Sequence, residues 1–204
     1  MEFLQYICNM ITKSIVHTSY RRGLNELADV ISGVFLKPSP EGSVAYVQIK
    51  DMLTGAPETT AARVEFVPKL EHSMLRRGDL LFAGKGATFL CREYKSEMPA
   101  VPSTTFYIIR PISERITTEY LCWYLNHPRV VAAVKAAQVG SGTPLIHKPT
   151  LEQLEIIVPD LETQRLVVEL SGLQQREEML LKTLAEKRVQ LTNQLLYNEI
   201  INRL

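Results

Sequence analysis

Gly84-Lys85-Gly86-Ala87-Thr88 sets a lysine between two glycines and closes on a hydroxyl. Glycines let a backbone approach a phosphate closely, and an ammonium neutralises it. The loop is not a nucleotide-binding Walker A loop. That motif, G-x-x-x-x-G-K-[ST], requires glycine at 79 and Ser or Thr at 86, where the chain has Asp79 and Gly86. Other donors of the same kind recur along the chain. Lys37 and Ser39 share a proline-rich loop, and Arg92 and Lys95 follow the glycine loop. Gln48 and Lys50 are two apart in an apolar, β-branched run, where alternate residues of a strand share a face. Ser141, Thr143, His147 and Lys148 occupy a further loop after Gly140. With Lys85 and Thr88, these side chains suit phosphate neutralisation and contact with base edges, the chemistry of nucleic-acid binding. Singly, each is as readily a solvated surface charge, and Arg76 and Arg77 are read that way.

Other chemistries find less support. A dinucleotide or methyl-donor loop of the G-x-G-x-x-G type is absent, and no Pro-Pro pair exists for an Asn/Asp-Pro-Pro-aromatic methyltransferase motif. No G-x-S-x-G elbow occurs. The histidines His17, His72, His127 and His147 are scattered without H-E-x-x-H. Glu93, Lys95 and Glu97 lie close enough to suggest a metal-dependent nuclease, but a surface charge cluster explains them equally. Cys8, Cys91 and Cys122 are odd in number and never C-x-x-C, which disfavours a zinc ribbon or a disulfide framework and makes the cytoplasm the expected compartment. No apolar run has transmembrane length, and the start of the chain lacks the pattern of a secretory signal. No catalytic or metal-ligating set is assigned.

The elements that must position these donors follow from periodicity. The chain has 204 residues, 46% hydrophobic and 22% charged, an ordinary globular composition. Its 23 Lys plus Arg against 22 Asp plus Glu exclude a uniformly basic binder but allow a local basic surface. Phe3, Ile7, Ile11 and Ile15 recur every four residues, one face of a short N-terminal helix over 1–17. Residues 24–31 read as another helical turn. From about 33 to 110, short β-branched and aromatic segments (44–49, 80–82, 87–91, 105–109) alternate with turn residues, the pattern of a twisted, barrel-like sheet. Helical spacing returns over 117–139. Thr150-Leu-Glu-Gln153 has the form of a capping box, and Ile156 to Val158 a short strand.

The last stretch differs. From Asp160 to Leu204 there is no proline and only one glycine, Gly172. Asp160 stands at an N-cap position and Glu162 suits the first turn. A heptad frame places Leu166, Leu170, Leu173, Leu180, Leu184, Leu191 and Ile201 on one seam, interrupted by Glu177, Lys187, Gln194 and Asn198. At about 1.5 Å per residue such a helix is roughly 60 Å long. The expected fold is therefore α+β, with a barrel-like β domain over 1–159 and a long helix over 160–204 that pairs with another helix as an antiparallel coiled coil.

The order of segments resembles the specificity subunits of type I restriction–modification systems, in a half-length form. The matching stretches are Leu27-Ala-Asp-Val-Ile-Ser-Gly33, Val44-Ala-Tyr-Val-Gln-Ile-Lys-Asp51, and Leu75-Arg-Arg-Gly-Asp-Leu-Leu-Phe82 with its glycine loop. They continue with Thr118-Glu-Tyr-Leu-Cys-Trp-Tyr-Leu125, Gly140-Ser-Gly-Thr143, Leu151-Glu-Gln-Leu-Glu-Ile-Ile-Val-Pro159 and Leu161-Glu-Thr-Gln164. The resemblance implies a non-catalytic target-recognition domain followed by a spacer helix. It further implies double-stranded DNA as ligand, and as partner an N6-adenine methyltransferase subunit that carries S-adenosylmethionine, in some systems with a restriction subunit. This chain itself is expected to hold no cofactor. Full subunits carry two recognition domains separated by antiparallel helices. A single domain and helix imply either a homodimer that rebuilds the pair or a piece of a larger locus. The 1–17 helix lies outside the recognition core and is expected to pack on a spacer helix. The competing readings are a protein-interaction scaffold dimerising through the long helix, and a nuclease with an unrecognised site.

Overall fold

The computed structural model describes residues 19–52, 60–86, 89–137 and 144–201. The helix expected over 1–17 lies outside them, as do Thr88, Ser141 and Thr143. The chain divides into two compact units, Met1–Arg165 and Leu166–Leu204. The fold is α+β and ends in a long helix, as its sequence pattern implies.

Among the described residues the strands are β1 (Tyr20–Gly23), β2 (Ala28–Ser32), β3 (Val44–Val47), β4 (Ala62–Val64), β5 (Leu80–Ala83), β6 (Cys91–Glu93), β7 (Ala100–Pro102), β8 (Phe106–Pro111) and β9 (Glu155–Val158). The helices are α1 (Ile49–Met52), α2 (Thr118–Asn126), α3 (Pro128–Ala136), α4 (Lys148–Glu152) and α5 (Leu161–Ile201). Strands β2-β8-β5-β6 form an antiparallel sheet. Strands β4-β3-β7 form a second sheet, in which β3 and β7 run parallel. Strands β1 and β9 pair separately. Ile31, Ala45, Val47, Leu81, Ala83, Ala100, Phe106 and Ile108 from the two larger sheets share one core cluster. The corner between these sheets is Gly33. Its neighbour Val34 bridges to Ser103, and a Cβ at Gly33 would sit 2.1 Å from the Ser103 carbonyl oxygen, so only glycine permits that approach.

Residues 24–31 depart from the expected helix. Leu24–Glu26 make one 3₁₀ turn, and Ala28–Ser32 is a strand. Leu24, Leu27 and Ile31 have helical spacing, but Val30 and Ile31 pair opposite Ile109 and Ile108 of β8, and that partner decides the conformation. Thr150 likewise does not cap. Helix α4 already begins at Lys148, with His147 at the N-cap and Pro149 in the first turn. Asp160 does cap α5: its carboxylate accepts the Thr163 N–H (2.8 Å) and hydroxyl (2.9 Å).

Two polar arrangements brace the first unit. Asp79, 2% exposed, accepts Arg110 Nε at 2.8 Å and Nη2 at 2.7 Å, and it also accepts the Arg76 N–H at 2.8 Å. Arg110 donates further to the Met74 carbonyl at 2.9 Å, and its hydrogen bonds to Asp79 hold the guanidinium above its ordinary pKa. Gln164, fully buried, accepts the Thr117 N–H at 2.8 Å and donates to the Arg115 and Pro159 carbonyls, both at 2.8 Å.

In the second unit, Leu166–Ile201 is helical throughout, with a Gln174–Glu178 hydrogen bond at 3.1 Å and a Lys187–Gln190 one at 3.3 Å along its surface. Its leucines face solvent: Leu173 is 57%, Leu184 56% and Leu191 58% exposed. No helix among the described residues is long and apolar enough to cross a membrane.

Breaking the buried pair leaves an uncompensated charge. Asp79→Ala is expected to lower the unfolding free energy by about 3 kcal/mol in urea denaturation, the usual cost of removing one partner. A loss well under about 1 kcal/mol would show that the Arg110 bonds do not support the fold.

Candidate nucleic-acid interface

Strands β5 and β6 pair antiparallel, and the glycine loop joins them. Beyond β5 the loop turns away to a distant segment. Gly86 N–H donates to the Pro144 carbonyl at 2.7 Å, Ile146 N–H donates to the Gly84 carbonyl at 3.0 Å, and Lys85 and Leu145 form an antiparallel bridge. The Tyr107 hydroxyl donates to the Ile146 carbonyl at 2.9 Å, and burial raises the phenol's pKa. Gly86 has φ +97°, a left-handed conformation that a side chain would strain. The outcome is a small clamp that puts Lys85 beside the start of the His147–Lys148 segment. Leu151 is the buried residue of α4 and turns that helix's apolar side inward.

The clamp's cations differ in availability. Lys148 pairs with Glu152 at 3.5 Å, an i,i+4 pair in which both side chains are partly exposed and contribute little to stability. Lys85 has no ion pair among the described residues. His147 is exposed, and its side chain makes no capping hydrogen bond.

Gln48 and Lys50 do not share a strand face. Strand β3 stops at Val47, and Ile49–Met52 is a helical turn. Asp51, 2% exposed, causes the stop: its carboxylate accepts the Gln48 N–H at 2.9 Å, one half of a capping box. The acidic residue three beyond Gln48 is the signal that marks this turn in the sequence. Lys50 is exposed on it. Arg92 lies opposite Leu81 in the β5–β6 pairing and donates through Nη1 to the Met52 carbonyl, tying the hairpin to that turn.

Ser39 belongs to the edge of the other sheet. Its N–H donates to the Arg63 carbonyl at 2.8 Å and its hydroxyl to Glu65 at 3.2 Å, while Lys37 is exposed nearby in the chain. Lys95 pairs with Glu93 at 3.5 Å, and Glu97 pairs with Arg77 at 3.4 Å, so the charges that suggested a nuclease cluster are divided between separate ion pairs. No group of three His, Cys, Asp or Glu among the described residues is placed to hold a metal ion. The structure thus gathers Lys85, His147 and Lys148 at one place, joins Arg92 to the Gln48–Lys50 turn, and sets Lys37 and Ser39 on the β4 side. Thr88, Ser141 and Thr143 lie outside the described residues.

Other surface features were unnamed or set aside in the sequence. Lys69, His72 and Arg76 line a shallow depression with Pro68 and Glu71. Phe35 is 77% and Phe66 50% exposed, while their neighbours Val34, Leu36 and Val67 pack on the second core cluster. In-out alternation in loop segments carries no strand signature, so only the fold reveals which residue turns outward. Asn126 has a structural role: it exchanges hydrogen bonds with both the N–H (2.9 Å) and carbonyl (2.7 Å) of Cys91, joining α2 to β6. Burial raises the Cys91 thiol well above its ordinary pKa.

The comparisons with known proteins agree with this architecture. Among solved structures, the S subunit of a type I restriction–modification system from M. genitalium is similar at 16% identity and TM-score 0.56, over 79% of this chain and 40% of that one. The HsdS subunit from Thermoanaerobacter tengcongensis is similar at 19% identity and TM-score 0.61, over 89% and 46%. A chain from a type I R-M system solved to follow complex assembly and conformational transition is similar at 19% identity and TM-score 0.66, over 95% and 53%. At these identities the likeness establishes the fold. The chain spans about half the length of these structures. No curated protein matches it. Residues 25–197 match the type I restriction modification DNA specificity domain, and with that match across most of its length the chain belongs to this family of specificity subunits.

Proposed function

We propose that this chain reads one half of a bipartite DNA sequence and directs an N6-adenine methyltransferase subunit to it. In some systems a restriction subunit would join the same complex. The first unit is the reader, and α5 is the spacer through which two copies pair antiparallel. The observation that supports this reading most is the clamp: Lys85, free of ion pairs among the described residues, is held by backbone hydrogen bonds beside His147 and Lys148. A cation on a short glycine tongue can follow a phosphate backbone, and the imidazole beside it can reach base edges. The chain contributes recognition, and the chemistry belongs to the partner with its S-adenosylmethionine. The expected compartment is the cytoplasm, where the target DNA and a reducing environment coincide.

The exposed leucines of α5 support pairing. An antiparallel pair has two-fold symmetry, so two identical readers would face two inverted half-sites. The helix length, roughly 60 Å at 1.5 Å per residue, sets the scale of their separation. A scaffold that binds only protein would use the same helix but would show no salt-dependent, sequence-selective DNA binding.

Three outcomes are expected. Lys85→Ala weakens DNA binding several-fold at every sequence and lowers the slope of log affinity against log salt by about one, without changing the dimer; an unchanged slope removes Lys85 from the phosphate contacts. Replacing Leu173, Leu180 and Leu184 together by Asp converts the dimer to monomer in light scattering; a persisting dimer means that the seam lies elsewhere. Mapping N6-methyladenine across the source genome with and without the gene shows loss of one split, symmetric motif. An asymmetric lost motif would point instead to a second, different recognition domain in the complex.

A further inference from the structure

Two free cysteines that DNA recognition does not use meet where α2 packs on β6. Cys91 opens β6 and is buried, whereas Cys122, in the second turn of α2, is half-buried. They stand 31 residues apart in the chain, yet Cys122 Sγ donates to the Cys91 carbonyl at 3.5 Å and the two thiols share a hydrogen bond. Asn126, one turn further along α2, fixes this crossing. It accepts the Cys91 N–H at 2.9 Å and donates to the Cys91 carbonyl at 2.7 Å, and its Nδ2 also lies 3.7 Å from Cys122 Sγ. The surroundings divide the pair into two kinds of thiol. Burial first, and then Cys122, hold the Cys91 thiol well above its ordinary pKa. The hydrogen bond with Cys91 lowers that of Cys122, helped by a backbone hydrogen bond from Glu93 and the charge of Lys95, against the opposing effect of burial. A partly exposed thiol that ionises readily, beside a buried protonated one, is the pairing of an attacking and a resolving sulfur.

We propose that Cys122 and Cys91 are an oxidisable dithiol that closes to an intramolecular disulfide with hydrogen peroxide, Cys122 attacking and Cys91 resolving. The Cys122 thiolate attacks one peroxide oxygen and the O–O bond breaks. The departing hydroxide takes up the proton lost by the thiol and leaves as water, and Cys122 becomes a sulfenic acid. The Cys91 sulfur then attacks the Cys122 sulfur. The S–O bond breaks, and hydroxide leaves as a second water with the Cys91 proton. Two thiols lose two electrons and two protons, and one peroxide is reduced to two waters. The hydrogen bond between the thiols puts the resolving sulfur next to the sulfenic acid, so closure competes with further oxidation. The new bond staples α2 to β6, the strand into which the glycine loop leads. A small thiol such as glutathione restores both cysteines by exchange, which makes the bond a reversible modification rather than part of the framework. The proposal depends neither on DNA nor on pairing through α5.

The test uses the full chain carrying Cys8→Ser, so that Cys91 and Cys122 are its only thiols. The folded, reduced protein is treated with hydrogen peroxide, and free thiols and peptide masses are followed over time. The expected product is one chain that has lost two hydrogens, contains a Cys91–Cys122 linked peptide and regains both thiols with glutathione. Two further variants assign the roles. Cys122→Ser keeps a donor for the Cys91 carbonyl and is expected to slow thiol loss by about tenfold or more, because the buried thiol is left to react alone. Cys91→Ala is expected to react at nearly the parent rate and to stop at a sulfenic acid that a dimedone probe captures. Three results overturn the proposal: both thiols persisting under peroxide, Cys122 passing to sulfinic acid while Cys91 stays a thiol, or linkage only between separate chains. Equal rates in the two variants overturn the assignment of Cys122 as the attacking sulfur. The linkage map needs neither variant, so it decides the outcome even where a substitution prevents folding.

Discussion

The carboxamide of Gln164 has no exposed surface, and each of its polar atoms is engaged: the oxygen by the Thr117 N–H, the nitrogen by the Arg115 and Pro159 carbonyls. A helix start leaves backbone N–H groups without internal partners, and a buried one must find them nearby. Asp160 satisfies the Thr163 N–H, and Gln164 fastens the same turn to the loop that leads into α2. Because β9 ends just before this turn and pairs with β1, the strand that opens the described chain and the helix that closes it meet at one braced point. A carboxylate or an apolar side chain at 164 would leave at least one of those three groups unsatisfied in a fully buried site.

Strand β8 carries the remaining architecture. It pairs with β2 on one side and β5 on the other, it contributes Phe106 and Ile108 to the shared core, and it holds Arg110 against Asp79 at the turn before β5. It also supplies Tyr107, whose hydroxyl fixes the Ile146 carbonyl and thereby the far side of the glycine clamp. The position of Lys85 is therefore inherited from the most constrained strand of the sheet rather than from its own loop. A site that must meet a rigid duplex gains from such anchoring, because little ordering remains to be done on binding.

The near-neutral charge of the chain is consistent with this arrangement. Lys95, Arg77, Arg21 and Lys148 are each paired with a carboxylate, whereas Lys37, Lys50 and Lys85 have no ion pair among the described residues. Local imbalance of this kind can direct an anionic ligand to one region without making the whole molecule basic. The same separation of tasks holds for apolar surface. Among the described residues the first unit buries large side chains such as Phe82, Phe106 and Leu121, while α5 exposes leucines along its length.

Much of this was legible before the structure. Helix α5, its cap at Asp160, the strands at 44–47 and 80–83, and the α+β class all rest on signals confined to a few neighbouring residues: a cap side chain, a periodicity of 3.6 or 2, a proline or glycine stop. Where the local signal was ambiguous, long-range partners decided. The helical spacing of Leu24, Leu27 and Ile31 gave way to pairing with β8, and the apparent alternation of Gln48 and Lys50 gave way to the Asp51 turn. The meeting of Lys85 with Leu145 and Ile146 was decided by tertiary structure alone. It is made by backbone groups, which every residue carries, so the side chains that would announce it do not exist; it follows only once β5, β8 and the segment after α3 have been placed by their own packing.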